Sequence, residues 1–295
     1  MKSFIYPALI GNASALGVHW IYDYQYLDKI SIHQSLLFMQ QTKSFYEQAK
    51  TSYYVYPHSK IGDVSVQGQM LIWLYHAIKD NPNFNKADYE NLLFDKFKPG
   101  GAYQGYVESY AKKLVIKKLS DELQISYEEK LDDTHLVGFI PYLVSKELNL
   151  TNEFANELVS IFSTNPDYLS YMKLFDRIFL NINEKGSKQA ILEALDLAPK
   201  HAYEKLTKIP YIENINVYIK DFAGRACSIE QSIPVILYIL YHQTSYEDAL
   251  EVNAKVGGAS ADRAMLISAC LSQIYEIPKS YINLTKQVLN PKDFK

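Results

Sequence analysis

The 295 residues, 48% hydrophobic and 21% charged, suffice to bury a substantial core, which excludes a disordered chain. A net charge of -3, with Lys and Arg scattered rather than blocked, argues against a nucleic-acid or membrane-surface role; the densest basic run, Lys112 to Lys118, reads as the solvated face of a helix. Two cysteines, Cys227 and Cys270, both in apolar surroundings, give no disulfide scaffold, so a reducing, cytoplasmic setting is expected.

At the start of the chain Lys2 precedes an apolar run from Phe4 to Ile10, and Ala13-Ser14-Ala15 resembles a cleavage site. The run is short and broken by Pro7, so a retained first helix is the expectation rather than a removed leader. Thr51 to Gly68 is long and irregular, with tyrosine-rich turns, Pro57, His58, Gly62 and Asp63; a loop of that length in a helical protein is commonly functional. From Gln69 to Lys79 the chain is apolar almost all round, which predicts a helix buried on most sides. Further helices are predicted at 102–119, 133–148, 151–162, 167–182, 186–196, 234–242, 246–255 and 260–275 from apolar residues three and four apart. Thr151 and Ser245 stand where N-caps are needed, and Pro234 fits a first helical turn. Alternating strand-like runs are scarce, so the fold class should be all-α. With no fixed-period repeat and no Gly-, Ser- or Pro-rich linker, a single domain over 1–295 is the simplest organisation. No apolar stretch approaches the roughly 20 residues that span a bilayer.

Three segments carry a family likeness. The first is Gly11-Asn12-Ala13-Ser14-Ala15-Leu16-Gly17-Val18-His19-Trp20-Ile21-Tyr22-Asp23. The second is Gly62-Asp63-Val64-Ser65-Val66-Gln67-Gly68-Gln69-Met70, and the third runs from Asn253-Ala254-Lys255-Val256-Gly257-Gly258 through Ala259-Ser260-Ala261-Asp262-Arg263-Ala264-Met265. Together they resemble the ADP-ribosylglycohydrolase family, and most closely a divergent branch whose first helix ends Ala-Leu-Gly-Leu-His-Trp-Ile-Tyr-Asp. Weaker matches follow in the right order: Gly105-Tyr106-Val107, Asp132-Asp133, Ser163-Thr164-Asn165-Pro166 and Cys227-Ser228-Ile229-Glu230. At Ser163 the family usually carries a His near the adenosine side of its pocket.

The resemblance implies a single large helical domain that, in active members, holds two Mg²⁺ ions at the anomeric carbon of ADP-ribose. Here the later Asp of the second motif falls on Gln69, and the two metal-binding Asp of the Gly-Gly-Asp-Thr-Asp-Thr motif fall on Ala259 and Ala261, with Asp262 in place of the last Thr. Mg²⁺ seeks a near-octahedral oxygen shell and rarely settles for a single carboxylate, so no metal and no dinuclear mechanism are expected.

Three readings follow. The first is a catalytically silent relative that binds a nucleotide or ADP-ribose-like ligand, aided by backbone N–H groups where a helix begins at Ser260 after Gly257-Gly258. The second is a metal-independent hydrolase built on carboxyl pairs. The third is a helical protein used only for interaction or structure. Candidate catalytic residues are His19, Asp23, Asp63, Asp132, Asp133 and Asp262. Candidate ligand contacts are Ser65, Gln69, Tyr103, Tyr106, Gly257, Gly258 and Ser260, with Tyr22 as a further pocket tyrosine. Each also has an ordinary explanation: His19 as a packed core histidine, Asp262 as a first-turn helix residue, Asp132-Asp133 as caps and Asp63 as a turn residue.

Overall fold

The computed structural model describes residues 3–127 and 134–294, and over these residues the chain is all-α, its only extended pairings being the isolated bridges Ile21–Ser52 and His135–Ser228. In chain order the helices are α1 (Ile5–Ala15), α2 (Tyr24–Ser31), α3 (Lys43–Glu47), α4 (Val66–Asp80), α5 (Lys86–Phe97), α6 (Ser109–Glu122), α7 (Phe139–Leu148) and α8 (Asn152–Val159). They continue with α9 (Asp167–Leu192), α10 (Lys200–Leu206), α11 (Ile215–Phe222), α12 (Ile229–His242), α13 (Tyr246–Val256), α14 (Ser260–Leu271) and α15 (Lys279–Thr285). Local chemistry sets many of the starts. Thr151 and Ser245 accept from Phe154 N and Asp248 N as their spacing predicts, and Asn85 with Asp88 closes a capping box on α5.

At the centre, α1 and α14 are buried along their whole lengths and pack on each other, as helices apolar on all sides must. Small residues let them touch: a Cβ on Gly11 would lie 2.3 Å from the Ala264 carbonyl oxygen and 2.5 Å from Ser268 Cβ. Ser268 donates to the Pro7 carbonyl, and Tyr246 bonds the Ser268 hydroxyl from α13. Around this pair one continuous apolar cluster draws on residues from Ile5 to Phe294, and a smaller one, with Val18, Leu27, Leu36 and Tyr46, packs under the segment after α1.

Several boundaries differ from the sequence expectation. The helix expected from 102 begins only at Ser109, because Tyr103 Oη donates to the Tyr106 carbonyl and Gln104 Nε2 to the Gly101 carbonyl, holding 101–107 as a loop. Pro234 lies inside α12 rather than in its first turn; the helix starts earlier, where Ile229 N bonds the Thr134 carbonyl and Ser232 N bonds the Ser228 carbonyl. The helix α4 is two-faced, with Met70, Leu71, Leu74 and Ile78 buried while Gln69, Ile72, Trp73 and His76 are only half-buried. The predicted break between 182 and 186 survives as a non-helical Gly186, φ 75°, within α9. Of the helix expected from 133, residue 133 lies outside the described residues, Thr134 and His135 are not helical, with His135 bridged to Ser228, and the helix begins only with a 3₁₀ turn, Leu136–Gly138, that leads into α7. No helix among the described residues is long and apolar enough to cross a membrane.

Candidate functional site

The turn into α14 gathers the buried polar side chains His19, Asn253, Ser260, Asp262 and Arg263. Gly257 and Gly258 have positive φ, 73° and 64°, and a Cβ on either would meet a carbonyl oxygen, Ile21 O at 2.3 Å or Arg225 O at 2.1 Å. Both glycines are therefore required by the backbone crossing itself. Arg263, wholly buried, locks this turn by donating from Nε to Asn253 Oδ1 (3.0 Å), from one terminal nitrogen to the Gly257 carbonyl and from the other to the Arg225 carbonyl. Asn253 in turn donates to the Ser260 carbonyl at 2.8 Å.

The first N–H groups of α14 are taken up within the protein: Ala259 N bonds Arg225 O, Ser260 N bonds Gly258 O, and Ala261 N donates to His19 Nδ1 at 3.2 Å. The other ring nitrogen of His19 lies 3.9 Å from Asp262 Oδ2, beyond a hydrogen bond, and among the described residues neither it nor the two Asp262 oxygens has a hydrogen-bond partner. Both side chains are fully enclosed. Burial, followed by the nearby Arg263 charge, pushes His19 down to about 3, while burial raises Asp262 to about 7 against the opposing pull of Arg263. The pair is thus held as neutral imidazole and, up to neutral pH, a protonated acid.

Two concavities flank this buried pair. The larger, a cleft of about 810 Å³, is lined by Tyr54, Tyr56, His58, Asp63, Gln69, Tyr103, Gln104 and Tyr106 with neighbouring loop residues. The smaller, about 470 Å³, is lined by Trp20, Tyr22, Tyr53, Tyr106, Glu108, Ser109, His135 and Cys227. Tyr106 borders both. His19 lies behind their walls, stacked on Trp20 at 5.2 Å between centroids and 6.2 Å from the Tyr56 ring. Burial raises the phenols of Tyr22, Tyr56 and Tyr103, with Glu108 adding to the rise at Tyr56 and Tyr103, so these three hydroxyls are uncharged at neutral pH. A third depression, between Tyr6, Pro7, Tyr275 and Ile277, is mainly apolar and shares no lining residue with the other two.

Trp20 has φ 66°, a backbone state that costs a residue with a side chain about 1–3 kcal/mol. It is held from both sides, its N–H bonded to the Gly258 carbonyl at 2.7 Å and its carbonyl accepting from Tyr53 N at 3.0 Å.

The residues singled out in the sequence are divided by this geometry. Asp63, Gln69, Tyr103 and Tyr106 come together in the larger cleft, and Tyr22 and Tyr106 in the smaller cavity. Ser65 is buried as the N-cap of α4, receiving a bond from Asn12 Nδ2 at 2.9 Å, and Ser260 is buried with its hydroxyl on the Ala15 carbonyl. Asp23 caps α2, accepting from Tyr26 N and Lys50 N, and these bonds lower its pKa, Lys50 first. Asp63 accepts from Lys60 N at 2.7 Å within its own loop. Asp132 and Asp133 lie outside the described residues. Sequence reasoning did not assign roles to Arg263, Asn253, Trp20, Tyr53, Tyr56 or Glu108. An arginine within an otherwise small and apolar helix was the available signal for the first.

At the positions where the resemblance expects metal carboxylates, Ala259 and Ala261 are wholly buried methyl groups and Gln69 offers a neutral amide at the cleft. Among the described residues no three His, Cys, Asp or Glu side chains converge to hold an ion. The described donor set at these positions does not fit a dinuclear magnesium centre. Comparison with protein families finds no family model that matches the chain, and comparison with curated proteins finds no match either.

Proposed function

We propose that this chain is an ADP-ribosylglycohydrolase-like helical protein that binds a nucleotide or ADP-ribose-like ligand in the larger cleft without the family's dinuclear magnesium chemistry. The observation that supports it is the lining of that cleft. Four tyrosine rings, Tyr54, Tyr56, Tyr103 and Tyr106, stand beside His58, Asp63, Gln69 and Gln104 in a volume of about 810 Å³. Neutral rings with hydroxyl ends offer faces for a base or ribose, and the amides and His58 offer bonds to hydroxyl and phosphate oxygens. The cleft lies at the N-terminal end of α4, where the second motif of the resemblance runs.

No hydrolytic step is assigned. His19 and Asp262 are sealed from both concavities, and the carboxylates of Asp23 and Asp63 are engaged by backbone N–H groups. General acid–base work needs a group within reach of the bond it serves.

Calorimetry with ADP-ribose, ADP and AMP in EDTA tests the reading. Binding is expected without added metal, and Tyr106→Ala should weaken it by about tenfold if a ring face is lost from the ligand. Absence of heat with all three at millimolar concentration removes the nucleotide reading.

A further inference from the structure

We propose that the larger cleft selects the uncharged nucleoside part of its ligand, with Asp63 as the specificity-determining acceptor for ribose hydroxyls and the phosphates left in solvent. This inference rests on the nucleotide reading and narrows it. Asp63 is half-buried in the cleft wall, and its Oδ2 accepts from Lys60 N at 2.7 Å. Among the described residues its side chain makes no other hydrogen bond and no ion pair. That leaves Oδ1 and a lone pair of Oδ2 for donors in the cleft. A carboxylate accepts from two hydroxyls at once and donates to neither, which matches the vicinal diol of a ribose.

Phosphate recognition draws on cationic side chains or on unpaired backbone N–H groups at a helix start, and this cleft offers little of either. Neither Lys nor Arg is among its described lining residues, and His58 is the one lining side chain able to carry a positive charge. Lys112 Nζ lies 4.9 Å from the Tyr106 centroid, engaged with that ring and outside the lining. The start of α4 is filled from within. Ser65 N donates to Asn12 Oδ1 at 2.7 Å, Val66 N to Tyr56 Oη at 3.2 Å and Gly68 N to Ser65 Oγ at 3.4 Å. A phosphate brought to this end of the cleft would also stand beside the Asp63 carboxylate, and like charges about 4 Å apart repel even in water.

The rest of the wall suits an uncharged base and sugar. Gln69 and Gln104 supply neutral amides, and Gln104 is oriented by its Nε2 donating to the Gly101 carbonyl, which leaves its Oε1 for a ligand donor. Tyr103 is held by its hydroxyl on the Tyr106 carbonyl at 3.2 Å. These bonds fix two walls before a ligand arrives, which removes part of the ordering cost of binding. A volume of about 810 Å³ is ample for a nucleoside.

Adenosine, 2′-deoxyadenosine, AMP and ADP are titrated against the full chain by calorimetry in EDTA, so that no metal bridges phosphate to protein. Adenosine is expected to bind at least about threefold tighter than AMP or ADP. Loss of one hydroxyl bond to a charged acceptor should make 2′-deoxyadenosine about tenfold weaker than adenosine. Asp63→Asn keeps an acceptor for Lys60 N, so thermal unfolding should be unchanged, while adenosine weakens about tenfold and its advantage over AMP disappears. A purely structural role for Asp63 would leave that ratio as it was. AMP or ADP binding as tightly as adenosine or tighter overturns the inference and leaves the nucleotide reading standing. Equal binding of 2′-deoxyadenosine, or an unchanged adenosine-to-AMP ratio in Asp63→Asn, overturns it in the same way. Absence of binding by all four removes both.

Discussion

His19 and Asp262 illustrate how two buried titrations oppose each other. Asp262 is raised from 3.8 to about 7, so its contribution to stability is full below 3.8 and is lost as pH rises through about 7. His19 is lowered from 6.5 to about 3, so its contribution is full above 6.5 and is lost as pH falls toward about 3. Between pH 3.8 and 6.5 the unfolded chain carries a proton on His19 while the folded chain carries one on Asp262, and the two slopes cancel. Single variants should uncover them. In urea unfolding across that window, Asp262→Asn is expected to lose stability on acidification and His19→Asn to lose it on raising the pH, each with a slope of up to about 1.4 kcal/mol per pH unit. Parallel pH profiles for both variants and the parent would contradict this. Asp23 is a plainer case: as the cap of α2 its change to Ala should cost about 1 kcal/mol in the same measurement. The sequence marked His19 and Asp262 as candidates, yet their enclosure was not legible there, since burial depends on which segments come to cover them. The same holds for Ser65 and Ser260, whose hydroxyls read as ligand contacts by spacing and are taken by Asn12 and the Ala15 carbonyl.

Between helices, α1 and α14 form the buried centre of the fold. Their contact depends on Gly11, because even a methyl group there would be driven into the Ala264 backbone. Gly11→Ala is therefore expected to destabilise by about 1–3 kcal/mol, read from chemical denaturation, although alanine ordinarily favours a helix. A stability equal to or above the parent would show that the two backbones can part without cost. The small residues Gly11, Ala15, Ala264 and Ser268 permit this close approach, but no spacing in the sequence paired these two helices, whereas caps such as Thr151 and Ser245 followed from local chemistry. The loop at 101–107 was not readable in this way. Its apolar spacing is helical, and only the bonds of Tyr103 and Gln104 to nearby carbonyls turn it into a cleft wall. Pro234 misled for a related reason: proline favours a first turn, but the start of α12 is set by its bridge to Thr134.

Over the whole molecule, an all-α arrangement was legible because apolar periodicity repeats through nearly every segment, whereas the larger cleft arises where loops 51–65 and 101–107 meet the start of α4, and the smaller cavity where Tyr53 and Tyr106 meet Trp20 and Tyr22. Tyrosine accounts for much of both walls, which connects a compositional feature, 25 copies in the chain, to the place where a subset of them is exposed to a ligand. The account as a whole depends on the chemistry at the start of α14, where two methyl groups occupy the positions at which the resemblance expects carboxylates. Crystals of the protein soaked in Mn²⁺, which scatters anomalously and takes the same oxygen ligands as Mg²⁺, test that most directly. The account predicts no paired metal peaks beside Ala259 and Ala261. Two peaks about 3.5–4 Å apart at that position, bound by side chains of this chain, would contradict it.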